Sequence, residues 1–237
     1  MVASIVQKHL ASPDDFIFGT ADLRGLVDEK FGDHQYGISI GRRLDDTVID
    51  SIADGPTLEY FNLYTGINSE LAGITEKIAI DLRKAGIGAI PITPTVHTGP
   101  DSAPDYIRTL KADLSHKMVA TRAGLGWIGK TDLFVSKKFG PRLRLVSILI
   151  NKEPEFTAVP VEESLCGKCS ICVEKCPAKA ATGELWNIRL HRDAFFDAKK
   201  CREMCAEMGR TRLHADRRIC GICVSVCPFG HRIKPQA

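Results

Sequence analysis

An α/β domain followed by a small cysteine-dense module is the architecture this sequence predicts, on three observations. Short β-branched runs alternate with helical periodicities over residues 1–150. All nine cysteines fall after residue 165, and residues 151–164 carry Pro154, Pro160 and four glutamates, the composition of a polar linker. The expected domains are therefore 1–155 and 156–237. With 44% apolar residues in a chain of 237, there is ample material for a buried core. A net charge of +3 describes no polycation, so composition alone demands no nucleic-acid partner. The longest apolar run, 145–150, is too short to cross a bilayer and is interrupted by Ser147. Residues 1–15 lack the sustained apolar core of a secretory signal, so a cytoplasmic protein without a membrane anchor is expected.

Taken in order, residues 1–11 predict a short helix ended by Ser12-Pro13, and 16–20 alternate like the start of a strand. Residues 23–31 read as helical. Tyr36-Gly37-Ile38-Ser39-Ile40-Gly41 reads as a buried strand whose small side admits either a flat ligand or tight helix–sheet packing. The strongest helix spans 57–85, with Leu58, Phe61, Tyr64, Ile67, Leu71, Ile74, Ile78 and Leu82 at three- and four-residue steps. Pro56 sits where a missing N–H is harmless, and Gly86 ends the helix. Residues 88–92 give a strand, followed by a loop punctuated by Pro94, Pro100 and Pro104 that suits an active-site wall. A helical pattern returns over 114–122, and 132–136 with 142–150 read as a β-hairpin around Phe139-Gly140-Pro141.

The stretch Ala123-Gly124-Leu125-Gly126-Trp127-Ile128-Gly129-Lys130-Thr131 satisfies both G-x-G-x-x-G and G-x4-G-K-T. Both motifs need a strand before and a helix after, because the phosphates rest on that helix's N-terminus. Here the predicted order is reversed. No acidic residue follows about 20 positions on to hold a ribose, so nucleotide binding is not expected. A glycine-rich turn bearing an aromatic and a lysine still suits the wall of a pocket, which makes Gly124, Gly126, Trp127, Gly129 and Lys130 candidate cofactor-binding residues, with Arg142 beside them.

The chemistry lies in Cys166-x2-Cys169-x2-Cys172-x3-Cys176-Pro177 and Cys220-x2-Cys223-x3-Cys227-Pro228. Gaps of two residues let the backbone curl so that three thiolates reach three corners of one cubane, and the cysteine before proline reaches the other cluster. This pattern predicts two [4Fe–4S] clusters, with Cys166, Cys169, Cys172 and Cys227 on one. Cys176, Cys220 and Cys223 serve the second, whose last ligand is Cys201 or Cys205. Structural zinc takes paired CxxC motifs, and a disulfide scaffold would be short and secreted. Cys166-Gly167-Lys168-Cys169 and Cys220-Gly221-Ile222-Cys223 look like an internal duplication. Basic residues accumulate over 189–218, as a solvated face, as countercharge for anionic clusters, or as a surface for a phosphate-rich or acidic partner.

Together, the 123–130 loop, Phe139-Gly140-Pro141-Arg142, the linker and the cysteine motifs resemble the epoxyqueuosine reductase family, which is related to reductive dehalogenases. The likeness covers about residues 114–228, in a short form without the family's C-terminal helical repeats. The resemblance implies a nitroreductase-like α/β domain that holds cobalamin base-off, and a ferredoxin-like module whose two clusters feed it electrons. The family's isolated cluster cysteine follows two basic residues, so Lys199-Lys200-Cys201 makes Cys201 the eighth ligand and leaves Cys205 spare. Its catalytic acid lies in an Asp-Ser/Thr-Ala/Gly-Pro motif. Asp101-Ser102-Ala103-Pro104 carries those words further upstream of the glycine loop than the family pattern, and Asp113 is the other candidate. No Asp-x-His-x-x-Gly segment is present, so a corrinoid here would lack a histidine ligand.

The leading expectation is an iron–sulfur reductase that draws electrons from a low-potential ferredoxin or flavodoxin and reduces a small or nucleoside-like substrate. A tRNA substrate is left open by the missing repeats. The alternatives are a non-catalytic ferredoxin-type electron carrier and a reductive activator of another corrinoid protein.

Overall fold

The computed structural model describes residues 1–95 and 104–230. In chain order the elements are α1 (Val2–Lys8), β1 (Phe16–Asp22), β2 (Tyr36–Arg43), α2 (Asp46–Asp50), α3 (Leu58–Lys84), β3 (Ala89–Ile92), α4 (Pro104–Thr109) and α5 (His116–Arg122). Then come β4 (Gly126–Ile128), β5 (Phe134–Ser136), β6 (Leu143–Ile150), α6 (Ile171–Glu174), α7 (Arg192–Phe195), α8 (Ala198–Leu213) and α9 (Ile222–Ser225). They form two compact units. The first comprises Met1–Arg42, Ile67–Leu125 and Arg144–Val161; the second comprises Arg43–Gly66, Gly126–Leu143 and Glu162–Ala237. Each unit is thus drawn from three stretches of chain, where the sequence reading draws one cut after residue 155.

The first unit is built on a four-stranded sheet in the order β1-β2-β6-β3, with β1 antiparallel to β2 and β3 antiparallel to β6. Alternation puts Gly37 on one face of β2 and Ile38 and Ile40 on the other. A Cβ at Gly37 would stand 2.7 Å from Leu23 and 2.9 Å from Val119, so the small side of this strand admits the packing of α5, not a flat ligand. Ala21, Leu23, Leu114, Val119, Ala123 and Leu149 form the core there. Helix α3 buries Ile67, Leu71, Thr75, Ile78, Ala79 and Leu82, whereas Leu58, expected on its apolar face, is exposed.

Two expected elements are replaced. Residues 23–31 form turns and a short 3-10 helix, Glu29–Phe31, because Gly25 takes a left-handed φ of 75° and the Asp28 side chain accepts from the Lys30 N–H. Leu23 is buried in the core and Val27 and Phe31 pack against it without a continuous helix. The hairpin joining 132–136 to 142–150 does not form. β5 pairs instead with β4, Trp127 lying opposite Val135, while β6 pairs with β3. Ser136 and Gly140 exchange backbone hydrogen bonds of 2.8 and 3.0 Å around a tight turn, and Pro141, with no N–H to offer a ladder, ends it.

His116 opens α5 with both ring nitrogens engaged, Nδ1 with the Ser147 hydroxyl and Nε2 with the Thr93 carbonyl, each at 2.9 Å. A carbonyl can only accept, so Nε2 carries the proton and Nδ1 accepts from Ser147, the neutral tautomer. Burial, with Arg144 adding to it, lowers the imidazole from 6.5 to about 4, against the opposing effect of the Thr93 carbonyl. The unfolded chain therefore binds the extra proton first. The stability contributed by neutral His116 is complete above about pH 6.5 and is lost as pH falls through about 4. Urea titrations at pH 7.5 and 4.5 are expected to differ by roughly 1–3 kcal/mol from this residue. In His116→Gln that part of the pH dependence disappears.

Candidate metal centre

Within the second unit, two short helices carry the cysteine motifs, and they match residue for residue. In the first, the Val173 and Glu174 N–H groups bond the Ser170 carbonyl and Lys175 bonds Ile171; in the second, Val224 and Ser225 bond Gly221 and Val226 bonds Ile222. The repeat therefore aligns Cys169, Cys172 and Cys176 with Cys220, Cys223 and Cys227. The sequence reading paired Cys166-Gly167-Lys168-Cys169 with Cys220-Gly221-Ile222-Cys223, one motif too early. The Gly residues misled it, since Ser170 occupies the place of Gly221. Gly221 takes a φ of 90°, and a Cβ there would stand 2.5 Å from Ile52 and 2.7 Å from Tyr60.

The thiols fall into two neighbourhoods. Burial pushes Cys227 up to about 11, and the nearby sulfurs of Cys172 and Cys166 add to the effect. Burial also raises Cys172, opposed by a hydrogen bond from Thr131 and reinforced by Cys166 and Cys169. Those four sulfurs are the first group. Cys220 is raised by burial, then by Cys201 and Cys176, and Cys223 by burial, then by Cys220, Cys201, Cys172 and Cys176. Cys176, Cys201, Cys220 and Cys223 are therefore the second group, Cys205 lies beside it with Cys201, Cys220 and Cys223 as neighbours, and Cys172 is the sulfur of the first group that acts on Cys223. Each offers four soft thiolate donors, the donor set of a [4Fe–4S] cubane. The thiols are free of disulfides.

The other candidate residues are distributed unevenly. Gly124 ends α5 in a Schellman motif: it takes a φ of 69°, its N–H bonds the Thr121 carbonyl, and the Leu125 N–H reaches back to Ala120, each at 3.1 Å. A helix precedes this loop and a strand follows it, the reverse of a phosphate-binding loop. Gly124 also lines a cavity of about 430 Å3 in the first unit, together with Phe18, Thr20, Leu125, Glu155 and Phe156. Gly126, Trp127, Gly129 and Lys130 are buried in the second unit. A Cβ at Gly126 would overlap the Val135 carbonyl, so its role is close strand pairing. The Trp127 indole N–H donates to the Cys166 sulfur at 3.4 Å, and its ring meets Phe229 edge-on with centroids 5.1 Å apart. A Cβ at Gly129 would lie 3.6 Å from the same sulfur. Residues 127–131 thus wall the first group of thiols.

Thr131 was not picked out from sequence. Its only signal was its place in the G-K-T words, whose phosphate-binding meaning the local structure excludes. Asp113 is exposed and pairs with Lys30 at 2.5 Å. Asp101 lies outside the described residues. In the basic stretch, Arg217 stacks over Phe61 at 5.3 Å, Arg192 pairs with Asp193, and Lys199 and Lys200 follow the Asp197 cap of α8.

Arg142 is 2% exposed and bonds Asp46 at 3.1 Å, Asp50 at 2.5 Å and the Ser225 carbonyl of α9 at 3.4 Å. Its guanidinium ties α2 and the end of β5's following turn to α9, which carries Cys223. Arg142→Ala is expected to lower the unfolding free energy measured by urea by about 2 kcal/mol, and Arg142→Lys to restore only part, because an ammonium cannot reproduce the fork. A residue serving only to grip a cofactor would leave that free energy unchanged.

Residues 165–230 match the model of the 4Fe-4S double cluster binding domain. The chain is 36% identical over 125 residues to an epoxyqueuosine reductase of Synechococcus sp. (strain CC9605), a match covering 52% of this chain and 38% of that protein. It is 34% identical over 122 residues to that of Lactococcus garvieae (strain Lg2), covering 48% and 32%. The chain thus spans well under half the length of these relatives. Among solved structures, a catabolic reductive dehalogenase shares the fold with a TM-score of 0.68 at 16% identity, over 97% of this chain and 31% of that one. An epoxyqueuosine reductase solved with an epoxyqueuosine-modified tRNA stem loop gives 0.57 at 18%, over 98% and 64%. With two groups of four thiols inside the matched segment, residues 165–230 are a domain for two [4Fe–4S] clusters, and the chain around them is similar to the epoxyqueuosine reductases over about half its length.

Proposed function

We propose that this protein is an iron–sulfur reductase in which two [4Fe–4S] clusters pass electrons, one at a time, to a cofactor in a nitroreductase-like α/β domain of about residues 1–155. The observation that carries this reading is the pair of thiol groups, four sulfurs each, inside a chain similar to the epoxyqueuosine reductases. Cys172 of the first group acts electrostatically on Cys223 of the second, which supports the passage of electrons between the two clusters. Trp127 and Thr131 donate to sulfurs of the first group, and donors of this kind stabilise the more negative, reduced cluster and raise its potential.

Base-off cobalamin is the cofactor that the likeness to epoxyqueuosine reductases and reductive dehalogenases suggests. When bound, a corrinoid supplies a strongly reducing metal centre that accepts single electrons. Gly124, Gly126, Trp127, Gly129, Lys130 and Arg142 are the candidate residues to hold it. Of these, Arg142, Trp127 and Gly126 are already engaged within the second unit, and Gly124 lines a cavity of about 430 Å3. That volume is at the small end of the roughly 300–1,000 Å3 of small-molecule sites and does not enclose a corrinoid. The second reading is a ferredoxin-type carrier or an activator that delivers electrons to a corrinoid held by another protein.

In the reductase reading the substrate is small or nucleoside-like, Asp101 is the proposed proton donor with Asp113 as its alternate, and a low-potential ferredoxin or flavodoxin is the electron source. The basic residues of 189–218 suit a phosphate-bearing partner, of which a tRNA stem loop is one example among the similar proteins.

The discriminating experiment is an EPR titration of the anaerobically reconstituted protein with cob(II)alamin. Stoichiometric loss of the lower-nitrogen splitting is expected of the reductase. An unchanged base-on spectrum would assign the chain to electron delivery.

A further inference from the structure

Nine cysteines face two clusters that need eight, and the ninth is not a bystander. Asp197 caps α8 by accepting from the Lys199 and Lys200 N–H groups at 3.1 and 3.0 Å, which sets the register of the first turn. Cys201, Cys205 and Gly209 then follow at steps of four and form one ridge of the helix. That ridge lies against the segment leading into Cys220. The Ile219 N–H bonds the Cys205 carbonyl at 3.2 Å, and a Cβ at Gly209 would overlap the Arg217 carbonyl. Helix and segment are pressed together along the whole row, so both thiols are aimed at the same place. The Cys205 sulfur hydrogen-bonds that of Cys201 and has Cys220 and Cys223 as its other sulfur neighbours. Five sulfurs therefore converge where a cubane takes four.

We propose that Cys201 and Cys205 are interchangeable ligands of the second cluster, which has two ligation states that differ in the cysteine of α8 bound to one iron. Exchange breaks the iron–sulfur bond to Cys201 and forms that to Cys205, while the proton of the Cys205 thiol passes to Cys201 along their hydrogen bond. No electron moves, and charge is conserved. Spacing explains why only this site has the option. Every other ligand lies in a short Cys-x2-Cys or Cys-Pro setting with one sulfur per corner, whereas a sixteen-residue helix can present two sulfurs a turn apart on one ridge.

The inference rests on the two-cluster reading, and the test separates the two. Wild type, Cys201→Ala, Cys205→Ala and the double variant are reconstituted anaerobically and their iron and sulfide counted. The expected result is about eight irons in the first three chains and about four in the double variant. The reduced Cys201→Ala protein should show a second-cluster EPR signal with shifted g values, since one ligand has changed. Cys201→Ala falling to the double variant's count would overturn the proposal and leave Cys205 a buried thiol. Retention in Cys201→Ala with loss in Cys205→Ala would also overturn it, by making Cys205 the sole ligand. Wild type holding only one cluster would instead overturn the two-cluster reading. A measurement on unaltered protein guards against a variant that fails to fold: alkylation of the loaded wild type should divide the label on its one free thiol between Cys201 and Cys205, and label on Cys205 alone counts against exchange.

Discussion

The cost of ionising thiols that stand crowded together and partly or fully out of water is the constraint on which the second unit depends. Burial, with the sulfurs of Cys172 and Cys166 adding to it, raises Cys227 to about 11, and the sulfurs around Cys223 likewise make its ionisation harder. Without metal, Cys172, Cys220, Cys223 and Cys227 are held further toward the protonated form than an exposed thiol. Iron must displace their protons, so cluster assembly is linked to pH and to the folding of the module. The surrounding structure serves to hold together sulfurs whose ionised forms would gain by separating. Two single-turn helices with identical backbone hydrogen bonding carry the motifs, and Arg142 fastens the second of them through its bond to the Ser225 carbonyl.

The residues around the first thiol group show how a motif can be chemically meaningful for a reason other than its usual one. The G-x4-G-K-T words of 124–131 invite a phosphate, yet Gly124 is a helix terminator and Gly126 a strand residue in close pairing. What the words provide is a short, small-sided path. It brings the Trp127 indole and the Thr131 hydroxyl to two cysteine sulfurs, with no side chain at Gly129 to stand in the way. Hydrogen bonds to sulfur are a recognised means of tuning a cluster, and this loop supplies two.

Much of the fold was legible where the signal is local. The three- and four-residue apolar steps of 57–85 require a helix, and one forms, although its first turn leaves Leu58 in solvent. The alternation of 36–41 requires a strand, with its glycine side turned to helix packing. Residues 23–31 carried a helical pattern in Leu23, Val27 and Phe31, but a left-handed Gly25 and an Asp28 cap broke it while the same side chains still reached the core. The failed hairpin is the instructive case. Two runs of strand-forming residues on either side of a Gly-Pro turn are good hairpin material, but β5 was claimed by β4 and β6 by β3.

By itself the sequence determined that iron–sulfur chemistry belongs to this protein, because the spacing of cysteines within a few residues is a property of the local chain and decides which sulfurs can reach one cubane. It also determined where the long helix α3 starts and stops, since Pro56 and Gly86 act there on their own backbone. Only the tertiary structure decided which strands pair, that Arg142 braces the unit from within, that Thr131 and Trp127 touch cysteine sulfurs, and that Cys205 meets Cys201 beside Cys220. These are contacts between segments far apart along the chain, and their energies depend on which partners the completed core leaves available, a quantity that no local window of residues contains.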